Sequence, residues 1–465
     1  MSEFRTESDS LGEVAVPAGA LYGAQTARAV QNFPISGWRM PRPFIAAMGM
    51  IKHAAAIAHR DAGRLDGRIA AAIAAAAEEV VEGALDEHFV VDVFQTGSGT
   101  SSNMNANEVI ANRAIAMLGG AVGSKDPVHP NDHVNMGQSS NDVIPTAVHV
   151  AAASAIHTDL IGALRALRDA LASKAEQFDD VVKVGRTHLQ DAVPVRLGQE
   201  FGGYAAAIDE CVGALEVAVA TLCELAIGGT AVGTGLNAPA GFAADVCRRL
   251  AARTHLPFRE AANHFAAHTT PTAAVGASAA MRTTALAMSK IANDIRWLGS
   301  GPRCGLGELI LPAVQPGSSI MPGKVNPVIP EAVIQVACQV VGNDAAIAAA
   351  AAGGVGAVLE MHLAWPVIAC NLLCSCSLLA RSAEVFRDKC IVGLEADRAR
   401  CAELVERSLM PATALAPRIG YDAAAEIAKE AHRTGKTVRE VARQRAGVPE
   451  EELDRLLDLR GQTGD

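Results

Sequence analysis

Residues 317–327 read Gly-Ser-Ser-Ile-Met-Pro-Gly-Lys-Val-Asn-Pro and bring together two hydroxyls (Ser318, Ser319), a cation (Lys324) and a carboxamide (Asn326). Glycines at 317 and 323 and prolines at 316, 322 and 327 exclude an ordinary helix or strand there. The stretch reads as a mobile loop with an anion-binding pair and a hydroxyl placed for proton transfer. A flexible surface linker would share this composition. The specific polar groups, set between two strongly apolar helical stretches, favour the functional reading.

Four other stretches are unusually rich in polar residues or glycine: Thr96-Gly-Ser-Gly-Thr100 continuing to Asn105, His129-Pro-Asn-Asp132, Gln138-Ser-Ser-Asn-Asp142 and Gly185-Arg-Thr-His-Leu-Gln-Asp191. Taken singly, each has a plain explanation. Ser139 to Asp142 could cap the helix that follows, His188 could be a satisfied core histidine, and Gly97 and Gly99 could form only a turn.

The elements that must hold these groups are helical. Half of the 465 residues are apolar, only 4% are aromatic, and alanine recurs in runs such as 345–352. Alanine favours helix and allows close helix packing. From about 139 to 390 the pattern is one of long helices with few breaks. Leu160, Leu164, Leu167 and Leu171 alternate spacings of four and three. Leu197, Tyr204, Cys211 and Ala218 repeat every seven residues, as do Phe201, Ile208, Leu215 and Leu222. Such repeats imply long helices crossing at shallow angles. Further long helices are expected over 268–299, 328–350 and 357–389. Apolar residues on more than one face of these helices imply an oligomer.

The expected class is mainly α, with a long central bundle over 138–395. It is flanked by an N-terminal, mostly helical domain over 1–137 and a small helical C-terminal domain over 396–465.

A net charge of −10 without a basic cluster argues against nucleic acid as a partner. The polar, acidic start is unlike a secretory signal peptide. Charged residues interrupt the apolar stretches, so none is expected to span a membrane. Ten cysteines without a paired CxxC arrangement are expected to be reduced and mostly buried, including Cys338, Cys370 and Cys374. These features point to the cytoplasm.

Read together, the motifs resemble the fumarase/aspartase superfamily, and most closely its class II fumarases. The resemblance runs from Asp9-Ser-Leu-Gly-Glu13 and Tyr22-Gly-Ala-Gln-Thr26 to Ile419-Gly-Tyr421. It implies a homotetramer with each active site shared by three subunits. The implied reaction is reversible trans addition of water to fumarate, giving L-malate through an aci-carboxylate, with no metal or organic cofactor. By the same resemblance Ser318 is the base for the C3 proton, and Lys324 and Asn326 stabilise the developing charge. Ser98, Thr100, Ser139, Ser140, Asn141, Thr187 and Ser319 bind substrate. His188, paired with Glu331, polarises the water, while His129, Asn131 and Asp132 match a second carboxylate site.

Two alternatives share this frame: an aspartate ammonia-lyase and a non-catalytic structural homologue. Thr96 to Thr100 and Gln138 to Asn141 resemble the fumarase versions, as do 227–237 and 295–302. Pro327 to Glu331 and Val193 to Leu197 also resemble aspartases. Retention of Ser318, Lys324, Asn326, His188 and Glu331 argues against the non-catalytic reading. One departure stands out: His362 occupies a position where relatives carry asparagine, with the bulky Trp365 close behind.

Overall fold

The computed structural model describes residues 3–464. The chain opens with an antiparallel hairpin of β1 (Phe4–Asp9) and β2 (Gly12–Pro17), in register from Phe4 opposite Pro17 to Asp9 opposite Gly12. Helices α1 (Ala24–Asn32), α2 (Arg42–Asp61), α3 (Gly67–Glu82) and α4 (Thr100–Met117) follow. Next come α5 (Ser140–Ala155) and α6 (Ile161–Gln177), then a second hairpin of β3 (Val182–Thr187) and β4 (Gln190–Arg196). The long helices resume with α7 (Leu197–Leu222), α8 (Phe242–Thr254), α9 (His264–Thr269), α10 (Thr272–Leu298), α11 (Val328–Ala351) and α12 (Trp365–Phe386). Five short helices complete the chain: α13 (Arg398–Arg407), α14 (Ala412–Ile419), α15 (Tyr421–Thr434), α16 (Val438–Arg445) and α17 (Glu450–Leu456). The mainly α architecture agrees with the sequence reading.

The chain forms two compact units that do not follow chain order. One comprises Met1–Gly162, Gly213–Ala285 and Cys338–Ala380; the other comprises Ala163–Val212, Leu286–Ala337 and Arg381–Asp465. In the first, α2 packs on α3, α5 and α8, and α5 is buried along nearly its whole length. In the second, α14 to α17 enclose a small core of their own around Leu415, Ile427, Val441 and Leu453.

Both seven-residue series of α7 are buried over their whole length, as are the four leucines from Leu160 to Leu171. Helix α11 repeats the pattern with buried Val333, Val340 and Ile347. Apolar side chains remain on outer faces, including Val217 of α7, Leu286 of α10, Val341 of α11 and Val385 of α12.

Four expectations need correction. The last long helix starts at Trp365 rather than 357, because Gly353, Gly354 and Gly356 break the helix before it. Residues 357–362 form a small hairpin instead, and Pro366 fits the first turn of α12. The 139–390 region is also interrupted by the β3–β4 hairpin.

The cysteines are free, but Cys338 and Cys374 are exposed rather than buried, since they fall off the inward repeats of α11 and α12. Finally, the spans Ser140–Gln177, Val328–Ala351 and Trp365–Ile391 are long and apolar enough to cross a membrane by length and composition alone. Most of the apolar window in the first and third is buried within the protein.

Candidate active site

The polar motifs fall into two groups, one in each compact unit. In the first unit a tight turn at 96–99 delivers Thr100 to the start of α4. Thr100 Oγ1 lies 2.8 Å from Ser98 Oγ and 2.7 Å from Ser140 Oγ, so the three hydroxyls form one chain. Ser98 is buried behind Thr100 and supports it from below.

At the start of α5, Ser139 does what a capping residue does. Its Oγ accepts the Asn141 N–H, and Asp142 Oδ1 accepts the Ser139 N–H at 2.9 Å. Asp142 Oδ2 also accepts the N–H groups of Gly228 and Thr230, each at 3.0 Å. Asn141 Nδ2 donates to Ala231 O at 2.7 Å. The loop after Ile227 is thereby fastened against the helix end.

These groups border a cavity of about 770 Å³ lined by Thr100, Ser139 and Ser140 together with Asn131, Asp132, Arg64, Asn103, Asn135 and Gln138. Hydroxyls, amides and an arginine around a helix N-terminus make a site suited to carboxylates. Asn131 and Asp132 border this same cavity. His129 Nδ1 accepts the N–H groups of both at 3.2 Å, which places the ring proton on Nε2.

Lys52 lies below this floor, fully buried in α2, and donates to Asn135 Oδ1 and Gln138 Oε1 at 2.9 Å. Burial pulls its ammonium down to about 7 against the attraction of Asp142. Burial likewise pushes the Asp142 carboxyl up to about 6, although three backbone N–H groups favour its ionised form.

The second unit holds the remaining groups. Strands β3 and β4 are joined by His188 and Leu189, with φ of 55° and 59°. Two-residue turns of this hand favour Asn and Gly, and a side chain held there is strained by ~1–2 kcal/mol. Strain of this kind gathers at functional positions. Thr187 and His188 are exposed at the hairpin tip. Below the tip, Arg186 makes a bidentate pair with buried Glu308 at 2.9 and 3.0 Å. Lys183, also buried, donates to Glu200 at 2.9 Å and lies 3.3 Å from Glu308. These charges hold the strand while its end stays free.

Residues 311–327 are non-helical and contain the loop expected over 317–327. Gly317 N donates to Lys324 O at 2.8 Å, and Asn326 Nδ2 donates to Gly317 O at 2.7 Å, closing the loop on itself. Ser318 Oγ accepts the N–H groups of Ile320 at 3.3 Å and Met321 at 3.2 Å. Donors aimed at an oxygen favour its anionic form. Ser319 and Lys324 are exposed.

Glu331 sits in the first turn of α11. The expected pairing with His188 is not formed within one chain: among the described residues, the histidines with a carboxylate within ion-pair distance are His88, His129 and His264.

His362 is buried, with Nδ1 accepting the Ala364 N–H and its ring 5.2 Å from Trp365. The Trp365 N–H donates to Gly97 O at 3.2 Å, so this segment backs the turn that presents Ser98 and Thr100. Sequence reasoning missed Lys52 and Arg64, which lie in helical or turn stretches without a motif.

Comparison with known proteins gives one consistent result. Residues 12–342 match the family described as Lyase, and residues 412–461 match the family described as Fumarase C C-terminus. The chain is 54% identical to a class II fumarate hydratase of Bradyrhizobium diazoefficiens, covering 97% of this chain and 95% of that one. It is 53% identical to a mitochondrial fumarate hydratase of Danio rerio, covering 97% and 88%. The crystal structure of a class II fumarase from Schistosoma mansoni superposes with a TM-score of 0.95 at 40% identity, over 99% of each chain.

Proposed function

The chain belongs to the class II fumarase family and hydrates fumarate reversibly to L-malate; from that premise we propose how its residues divide the work. The observation that carries the division is Ser318, whose hydroxyl oxygen accepts two backbone N–H groups in a loop that also bears Lys324.

In the dehydration direction, Ser318 in its alkoxide form takes the C3 proton of malate. Negative charge then spreads into the neighbouring carboxylate as an aci-carboxylate, with Lys324 opposing the charge and Asn326 donating to it. Departure of the C2 hydroxide requires a proton, which His188 delivers through a polarised water. The reverse sequence adds water across the double bond. The substrate carboxylates are assigned to Thr100, Ser139, Ser140 and Asn141 at the α5 N-terminus. Ser98 holds Thr100, while Thr187 and Ser319 close around the ligand. Arg64 supplies the cation for a second carboxylate position at His129, Asn131 and Asp132.

Pairing of His188 with Glu331 is assigned across a subunit boundary. The assembly is a homotetramer in which three chains contribute to each site, with residues 138–395 as its core and 1–137 and 396–465 as flanking domains. Outward apolar residues on α7, α10, α11 and α12 support this assembly. The protein is assigned to the cytoplasm, where its ten free cysteines stay reduced.

Purified protein given L-malate is expected to develop the ultraviolet absorbance of fumarate, with none developing from L-aspartate. A response to aspartate alone would overturn the hydratase assignment in favour of the ammonia-lyase.

A further inference from the structure

One buried charge in the first unit is not used by the chemistry described above. Lys52 is 0% exposed, yet the two acceptors of its ammonium, Asn135 Oδ1 and Gln138 Oε1, are neutral amides. Buried ammonium groups normally sit against a carboxylate, because removing an ion from water is costly. Asp142 is the carboxylate whose field Lys52 feels. That carboxylate already accepts N–H groups from Ser139, Gly228 and Thr230 and needs no ammonium to satisfy it.

The amides are oriented by what surrounds them. Asn135 Nδ2 donates to Gln138 O, and Gln138 Nε2 donates to Val134 O and Met136 O. Both side chains therefore turn their oxygens to Lys52 and spend N–H groups on the backbone. Both also line the cavity beside Thr100, Ser139 and Ser140. The positive charge is left only partly compensated, one amide layer below the surface assigned to carboxylates.

We propose that Lys52 is a positioning residue whose buried charge makes this cavity prefer doubly charged ligands, acting through Asn135 and Gln138 without touching the ligand. The proposal rests on the assignment of Thr100 and Ser140 to the substrate carboxylates. Its physical content is that a dianion in the cavity feels the Lys52 field about twice as strongly as a monoanion of the same shape.

The test, run at about pH 6.5 so that most of Lys52, pulled down to about 7 by burial, carries its charge, is competitive inhibition of the full-length enzyme by succinate, with two carboxylates, and by succinamate, with one carboxylate and one carboxamide. Lys52→Met is expected to weaken succinate about tenfold and succinamate about threefold, since the logarithm of the loss scales with ligand charge. Lys52→Arg retains the charge and is expected to keep the succinate-to-succinamate ratio within about twofold of the parent, whatever uniform loss its bulk imposes.

Equal losses for both inhibitors in Lys52→Met, or no loss, would overturn the proposal, because a merely structural lysine would not distinguish ligand charge. If Lys52→Met does not fold, the neutral, polar Lys52→Gln decides: a loss for succinate greater than that for succinamate supports the electrostatic role, and equal losses refute it. Ser140→Ala separates the two layers of the argument. Unchanged affinity for both inhibitors in that variant would remove the carboxylate assignment and Lys52 with it. Weakened binding there, combined with equal losses in Lys52→Met, would refute Lys52 alone.

Discussion

The start of α5 and the 311–327 loop are built from the same chemistry, hydroxyls and amides near a cation, but they are held in opposite ways. At α5, Ser139 is fixed as a cap, Asp142 binds three backbone N–H groups, and the Ser98–Thr100–Ser140 hydroxyls form a continuous chain over a buried helix. In the loop the hydrogen bonds run between the loop's own residues, and Ile320 at its tip is 82% exposed. The first arrangement is held by hydrogen bonds within the protein itself. The second keeps its internal geometry yet has little packing to hold it in place, as expected of a segment that closes over a substrate. On the proposed assignment, the carboxylate-binding groups at α5 are preorganised, whereas the base Ser318 sits on a segment with little packing of its own.

The sharpest break of that comparison would come from Ser318→Ala. If Ser318 acts only in proton transfer, kcat should fall by roughly 10²–10⁴-fold, with KM changed little and the oligomer intact by size-exclusion chromatography. Near-normal turnover would remove the base from the mechanism. A large rise in KM instead would show that the loop is part of the binding surface, and the contrast between the two regions would disappear.

Ser140→Ala probes the other side. Losing one hydroxyl that faces a carboxylate should raise KM roughly ten- to hundredfold, in line with ~1.5–3 kcal/mol for a hydrogen bond to a charged group, while kcat stays within a few-fold. Steady-state kinetics with L-malate separates the two constants. A fall in kcat matching that of Ser318→Ala would mean that the α5 groups act in the chemical step.

The same contrast explains what could be read from the sequence. Helix α7 was legible because eight apolar residues repeat every seven positions, and all eight are buried. The 317–327 loop was legible because glycine and proline exclude regular structure over just that stretch. The β3–β4 hairpin was not, since a β-bulge between Val184 and Arg186 breaks its alternation and its turn uses His188 and Leu189 in place of Asn and Gly. Lys52 and Arg64 were hidden for another reason. Their roles come from partners 83 and 86 positions away or from a cavity wall, and no local spacing encodes such contacts. His188 and Glu331 were each identified by resemblance, but within one chain they do not pair.

The smallest effect tests how far the loop behaves as one body, and it comes from its second glycine. Gly323 has φ of 81° and nothing within 4 Å of where a Cβ would stand. Gly317 differs, because a Cβ there would meet Lys324 O and come within 2.8 Å of Asn326 N, breaking the closure that defines the loop. Alanine at 323 therefore adds only left-handed backbone strain, ~1 kcal/mol. Because the loop shares little packing with the core, that strain should leave the melting temperature unchanged. It falls on the segment that carries Ser318 and Lys324, so Gly323→Ala should lower kcat about fivefold if the loop must hold this backbone shape during turnover. An unchanged kcat would mean that the turn at 323 relaxes independently of Ser318. The loop would then consist of two parts, with only the 317–321 half tied to proton transfer.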